Sequence, residues 1–223
     1  MKKKGLKNIS SNSRDANLSK GGIPTPALFE VVKVRGKKLH NIDYHNNRMN
    51  WSLATVFGLN EPISLEKEII IPKTLNNQAH KCRVIYTNKI EKIEFEPYQP
   101  RIISSLKIIA HNTIDYSVKY YDRKTINDLF EKRGSCDDIL IIKNGFITDI
   151  SYANIVFWDG CQWITPSTPL LPGTKRQQLI DQKKIVEKEI KIKDIQSFEK
   201  ARIINAMIDL EESNDILINN IEI

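Results

Sequence analysis

The chain reads as a mixed α/β protein, an α+β arrangement in two parts: a small N-terminal α/β unit and a C-terminal unit built on a β-meander. Three observations predict this. Short β-like runs with period-two alternation fill the first half, a helical pattern interrupts them, and two turn dipeptides, Asn144-Gly145 and Asp159-Gly160, separate apolar runs in the second half. With 223 residues and 40% apolar content, the chain can bury a proper core.

The first strand is "ALFEVVKV", residues 27–34, closed by the turn "RGKK". Asp43 then precedes a capped amphipathic helix. Its apolar positions Tyr44, Met49, Leu53, Val56 and Phe57 recur at roughly helical spacing, and Gly58 stands where a helix ends. "EIIIP", "CRVIYTN" and "IEKIEFEPY" between 62 and 97 read as strands of a small sheet on that helix. Leu106–Ala110 is a further strand, and a polar, tyrosine-bearing connection follows it. In "RKTINDLFEKRG", Ile126, Leu129 and Phe130 share one face of a short helix that Gly134 ends. "DDILIIKNGFITDI" and "NIVFWDGCQWIT" supply the meander, and "LLPGTKRQQLIDQKK" brings a helix that starts near Gly173-Thr174. "KARIINAMIDL" and "NDILINNIEI" close the fold as strands. The boundaries read as a basic polar tail over 1–26, an N-terminal domain over 27–108, an interdomain linker over 109–120 and a C-terminal domain over 121–223.

Charge narrows the function classes. Residues 1–40 hold ten Lys/Arg against Asp15 and Glu30, a net of +8, whereas 41–223 hold 24 against 25, a net of −1. The basic excess therefore sits largely in the tail, and a nucleic-acid role for the folded body is not indicated. No apolar run is long enough to span a membrane or form a secretory signal, so a cytoplasmic location is expected. Cys82, Cys136 and Cys161 are widely spaced and outside any CxxC pattern, which implies buried thiols and no metal site.

Asp149 is out of place in the run "GFITDISYANIVFW", because a buried strand rejects a carboxylate that has no partner. The ordered series "FEVVKV", "HNNRM", "RKTINDL", "ITDISYANIVFW", "TP" and "LLPGTKRQQL" resembles the class IV aminotransferases, the fold type IV pyridoxal phosphate enzymes. That family includes branched-chain and D-amino-acid transaminases and aminodeoxychorismate lyase. The resemblance runs from about Leu28 to about Leu210. It implies pyridoxal 5'-phosphate as cofactor, a small amino substrate, and a homodimer, since the family's sites lie close to a subunit interface.

The resemblance also implies roles for residues. Lys124, in "KTIN", falls at the family's Schiff-base lysine. Its place at the positive end of a helix beside Arg123 would disfavour the ammonium form. Lys143, before a hairpin turn, and Lys119, in the connection, fit that role less well. Asp149 stands where the family carries Glu against the pyridine nitrogen. Asn154 is expected to bond neighbouring backbone or loop. Arg48, Gly173 and Thr174 would take the phosphate, with Asn205 and Ala206 at a second turn, and Asn127 would orient the lysine or cofactor. Arg101, Tyr120 and Tyr121 read as linker or surface. The chain departs from the family in Asp for Glu at 149, Val31 for a threonine, and the absence of the family's first hairpin.

Within the family, "KTINDL" and "ANIVFW" look most like aminodeoxychorismate lyase, implying elimination of pyruvate to leave 4-aminobenzoate for folate synthesis. A branched-chain or D-amino-acid transaminase is the alternative. Two other classes compete: a non-catalytic protein of the same fold, against which the presence of Lys124 argues, and a binding module built on the basic tail.

Overall fold

The computed structural model describes residues 22–24 and 26–222. The basic tail predicted over 1–26 lies almost wholly outside the described residues.

Strand β1 (Leu28–Arg35) pairs β2 (Lys38–Leu39) across the Gly36-Lys37 turn. Helix α1 (Ile42–Phe57) follows, and Gly58 ends it in the left-handed region at φ 69°, donating its N–H to the carbonyls of Ala54 and Leu53. The start differs from expectation: Asn41 is the capping position, without a side-chain cap, and Asp43 lies inside the first turn, where its charge favours the helix dipole. "EIIIP" is not a strand. Helix α2 (Leu65–Glu68) takes its beginning, and Ile69 is buried while Ile70 faces solvent. Strand β3 (His80–Tyr86) pairs β1 on one edge and β4 (Ile90–Pro97) on the other. The four strands run antiparallel in the order β2-β1-β3-β4, and α1 covers one face through Met49 and Leu53 against Val32, Val84 and Tyr86.

The second sheet has nine strands among the described residues. Strand β5 (Leu106–Ala110) is followed by α3 (Lys124–Phe130), which carries the chain over to β6 (Asp138–Lys143), parallel to β5. A parallel pair needs such a crossover, and Ile126 and Leu129 bury it against Ile139 and Ile141. Next, β6 turns into β7 (Phe146–Ile150) at Asn144-Gly145, both at positive φ as a tight hairpin requires. Strand β8 (Asn154–Trp158) and β9 (Trp163–Pro166) complete the meander around the Asp159 turn, whose carboxylate accepts the N–H groups of Cys161 and Gln162. Cys161 is exposed there, so only Cys82 and Cys136 are the buried thiols expected.

Helix α4 (Thr174–Asp181) makes the second crossover, from β9 to its parallel neighbour β10 (Ile185–Lys188). Strand β11 (Lys200–Ile204) pairs the whole of β8. The closing "NDILINNIEI" splits into β12 (Ile216–Leu217) on β11 and β13 (Ile221–Glu222) on β5, because the two halves serve different neighbours.

The segment 111–123 is not loose chain. Phe29 N–H donates to Lys119 O at 3.0 Å and Tyr121 N–H to Ala27 O at 2.9 Å, so its backbone is fastened to β1. Val118 is buried in the core of the first sheet, and Tyr116 in the cluster beneath α3.

Phe157, fully buried on β8 with its ring 5.0 Å from that of Phe198, anchors the larger core. Replacing it with Ala is expected to cost about 3–5 kcal/mol, read as a lowered urea midpoint at unchanged slope.

Candidate active site

A cavity of about 430 Å³ opens where the two sheets, segment 111–123 and the chain entering α4 converge. Of the residues singled out from sequence, Arg48, Asn127, Asp149, Gly173, Thr174, Asn205 and Ala206 line it. Asn154 lines it too.

Lys124 does not. It is the first residue of α3, its side chain is 78% exposed, and it pairs with Asp128 one turn on at 2.5 Å, which raises its pKa. Helix geometry explains this. At about 100° per residue, position 124 lies roughly 160° from Ile126 and 140° from Leu129, the two residues that face the core. Two lysines line the cavity: Lys81, which pairs with Glu96 at 3.2 Å, and Lys119. Its Nζ stands 4.8 Å from the centre of the Phe29 ring and forms no hydrogen bond or ion pair among the described residues. Burial pulls its pKa down to about 7, the Arg48 charge pulls the same way, and Glu30 opposes both. The sequence carried one signal for it: Tyr116, Val118 and Tyr120 alternate around it as packed chain does, and a connection seldom holds so many large side chains.

Asp149 finds partners inside the chain. Its Oδ1 accepts from Asn154 Nδ2 at 2.7 Å and its Oδ2 from the Leu171 N–H at 3.0 Å. Asn154 also donates to Leu171 O at 3.0 Å, tying β8 to the loop before α4. Burial raises the Asp149 pKa to about 6, against the pull of those hydrogen bonds and the Arg176 charge. This acid therefore stands at a cavity wall without a cation in contact among the described residues.

Gly173 has an ordinary φ of −72°, so it is not a glycine for its backbone angle. A Cβ there would fall 1.9 Å from Asn154 Oδ1, so the glycine is what lets the Asn154 side chain approach the start of α4.

Arg48 is held by a residue the sequence reading passed over. Glu30, inside the apolar run of β1, is fully buried and accepts Arg48 Nε at 2.8 Å and Nη2 at 2.5 Å. It also accepts His45 Nδ1 at 2.6 Å. Burial keeps His45 neutral, so its Nδ1–H donates to Glu30 and its Nε2 is left to accept the Thr174 hydroxyl at 3.3 Å. Burial would raise the Glu30 pKa, but the Arg48 charge and the His45 and Arg48 hydrogen bonds hold it at about 2. The argument that marked Asp149, a carboxylate inside an apolar strand, applied equally to Glu30.

A family model described as Amino-transferase class IV matches residues 27–210. The chain belongs to the class IV aminotransferases. Its mixed α/β architecture is the fold type IV of that family, whose members are pyridoxal-phosphate-dependent enzymes. A Haemophilus influenzae protein with no assigned activity is 41% identical over 182 residues, which are 81% of this chain and 97% of that one. A Haemophilus somnus 129PT protein, named as a candidate 4-amino-4-deoxychorismate lyase, has a crystal structure that matches with a TM-score of 0.79 and 36% identity, covering 85% of this chain and 100% of that one. A hypothetical aminotransferase of Mycobacterium tuberculosis in its pyridoxal-phosphate-bound form shares the fold at a TM-score of 0.69 and 15% identity, over 95% of this chain and 86% of that one. The class IV cofactor fits the residues present: a buried lysine whose pKa burial lowers to about 7, a buried acid with no cation in contact among the described residues, and the start of α4 at Gly173-Thr174, all in one cavity wall.

The Glu30 cluster predicts a pH signature. A pKa of about 2 in place of the ordinary 4.5 contributes about 3 kcal/mol of stability above pH 4.5, lost as pH falls toward 2. Urea unfolding at pH 6 and pH 3 should show a larger loss in the parent than in Glu30→Gln, which lacks the titrating group and starts less stable.

Proposed function

We propose that this protein is a pyridoxal-phosphate-dependent lyase that acts like 4-amino-4-deoxychorismate lyase, releasing pyruvate and 4-aminobenzoate, with Lys119 as its cofactor lysine. The observation that carries the reading is that Lys119, with a pKa of about 7, lines the same cavity as the buried acid Asp149. The 36% identity across the whole of the candidate lyase supports the choice of reaction.

Lys119 is neutral in about half of the molecules at pH 7, which an amine needs in order to hold an aldehyde carbon. The same amine would serve as the base that takes the proton from the substrate's α-carbon. Asp149 would hold the ring-nitrogen end of the cofactor and keep a proton there, and a cation beside it would lower the Asp149 pKa in return. Bound at this site, the cofactor supplies an electron sink for the pair left on the α-carbon. The start of α4 at Gly173-Thr174, the Asn205-Ala206 turn and the remaining N–H groups of Arg48 form the phosphate end, and Asn127 lines the wall beside them. A homodimer, a cytoplasmic location and a place in folate synthesis belong to the same reading and rest on the resemblance.

Lys119→Ala should abolish the visible absorption band of lysine-bound cofactor, while Lys124→Ala keeps it. The parent's band should develop with a midpoint near pH 7, rising toward higher pH as Lys119 loses its proton. The reverse result for the two variants would return the role to Lys124. Turnover that continues without any added 2-oxo acid supports the lyase; turnover that requires one assigns the protein to the transaminases.

A further inference from the structure

Alternation divides the side chains of β1 between two environments. Leu28 and Val32 enter the core beneath α1 and Glu30 bonds Arg48 on that helix, whereas Phe29 and Val31 line the cavity. Phe29 is 8% exposed, and its ring stands at 86° to that of Tyr121 with centres 6.3 Å apart. This edge-to-face arrangement is one that aromatic quadrupoles prefer, and it fixes the plane of the Phe29 ring.

Lys119 meets this ring through the pairing of segment 111–123 with β1. Leu28 bridges Tyr120 in antiparallel fashion, which makes Phe29 and Lys119 the next cross-strand pair, and the Phe29 N–H donates to Lys119 O at 3.0 Å. Cross-strand neighbours project to the same face. The Lys119 Nζ accordingly lies over the Phe29 ring, 4.8 Å from its centre, within the reach of a cation–π contact.

An aromatic face attracts an ammonium through its quadrupole and gives a neutral amine almost nothing. Phe29 therefore acts on the two protonation states of Lys119 in the opposite sense to burial, which penalises the charged form. Among the charged groups around the amine, Arg48 on α1 and Arg123 before α3 also penalise the ammonium, while Glu30 on β1 and Asp149 on β7 support it. Both acids are bonded elsewhere, Glu30 to Arg48 and His45, Asp149 to Asn154 and the Leu171 N–H. The ring face is what meets the amine directly.

We propose that Phe29 is a positioning residue for Lys119, its ring a charge-selective seat that holds the ammonium against the cavity wall and releases the neutral amine. The inference deepens the reading of Lys119 as the cofactor lysine and rests on it. The Lys119 backbone is already fastened to β1, so the flexible four-carbon stem is the part left for the seat to confine. Loss of the proton makes the nitrogen nucleophilic and, in the same event, removes the attraction that parks it. The amine is thus free to move into the cavity only in the form that can react there.

The test is competitive labelling of the cofactor-free protein with acetic anhydride over a range of pH, read by peptide mass spectrometry, which gives the titration midpoint of each lysine. Exposed Lys124 is the internal reference. Phe29→Leu keeps an apolar wall without the aromatic face, and is expected to lower the Lys119 midpoint by about 0.5–1 pH unit while Lys124 stays where it was. A trifluorinated phenylalanine at position 29 keeps the ring's shape but withdraws charge from its face, so it should lower the midpoint too, at an unchanged melting temperature. A midpoint that stays or rises in either variant overturns the proposal, because a ring that serves only as an apolar wall gives that result. The visible band of lysine-bound cofactor separates the two readings. If Lys119→Ala keeps the band while Phe29→Leu still lowers the midpoint, the cofactor assignment fails and the seat stands; if Lys119→Ala loses the band while the midpoint holds, the seat alone fails.

Discussion

One buried carboxylate organises the site. Glu30 reaches from β1 into α1, where it fixes the Arg48 guanidinium with two hydrogen bonds and His45 with a third. Through the His45 tautomer it also reaches the first residue of α4, so three elements distant in sequence share one ionic contact. Isolated burial of either charge would cost several kcal/mol, and removal of one partner strands the other. The cluster therefore specifies how α1 and α4 stand against the first sheet more than it adds net stability. The opening of α4 toward the cavity depends on that placement.

The second constraint is the backbone of segment 111–123. By fastening residues 119 and 121 to β1, the fold places a lysine at the cavity with no hydrogen bond or ion pair on its amine among the described residues. Lys119 is thus held by its main chain, and its ammonium carries the full consequence of its surroundings. Lys124, five residues on, is held by the same helix start that seemed to recommend it, but on the face turned to water.

Much of the fold was legible because it rests on local rules. Asn144-Gly145 takes positive φ at both positions, Gly58 closes α1 in the left-handed region, and Asp149 falls in the middle of the meander. What the sequence hid was set by partners far along the chain. "EIIIP" has the composition of a strand, but it meets the first sheet only through Ile69, buried in that core, while Ile70 faces solvent. The last residues read as one strand and serve two. The place of Lys119 at the cavity is hidden for the same reason: a helix N-terminus is visible in sequence, whereas the pairing of segment 111–123 with β1 is not. Glu30 was legible by the rule applied to Asp149 and was passed over because its run also matched a motif.

Lys119 and Asp149 link the stability of the fold to what the cavity binds. Burial pulls the lysine down to about 7 and pushes the acid up to about 6, so each is moved toward its neutral form and near pH 7 neither holds its usual charge firmly. In the unfolded chain the lysine would bind its proton more tightly and the acid would release its own more readily, so folding works against both ordinary charge states. A ligand that takes up the amine and offers a cation to the acid removes both penalties at once. Binding energy and folding stability then come from the same two residues, and the protein should gain from its cofactor as a whole fold rather than at the site alone.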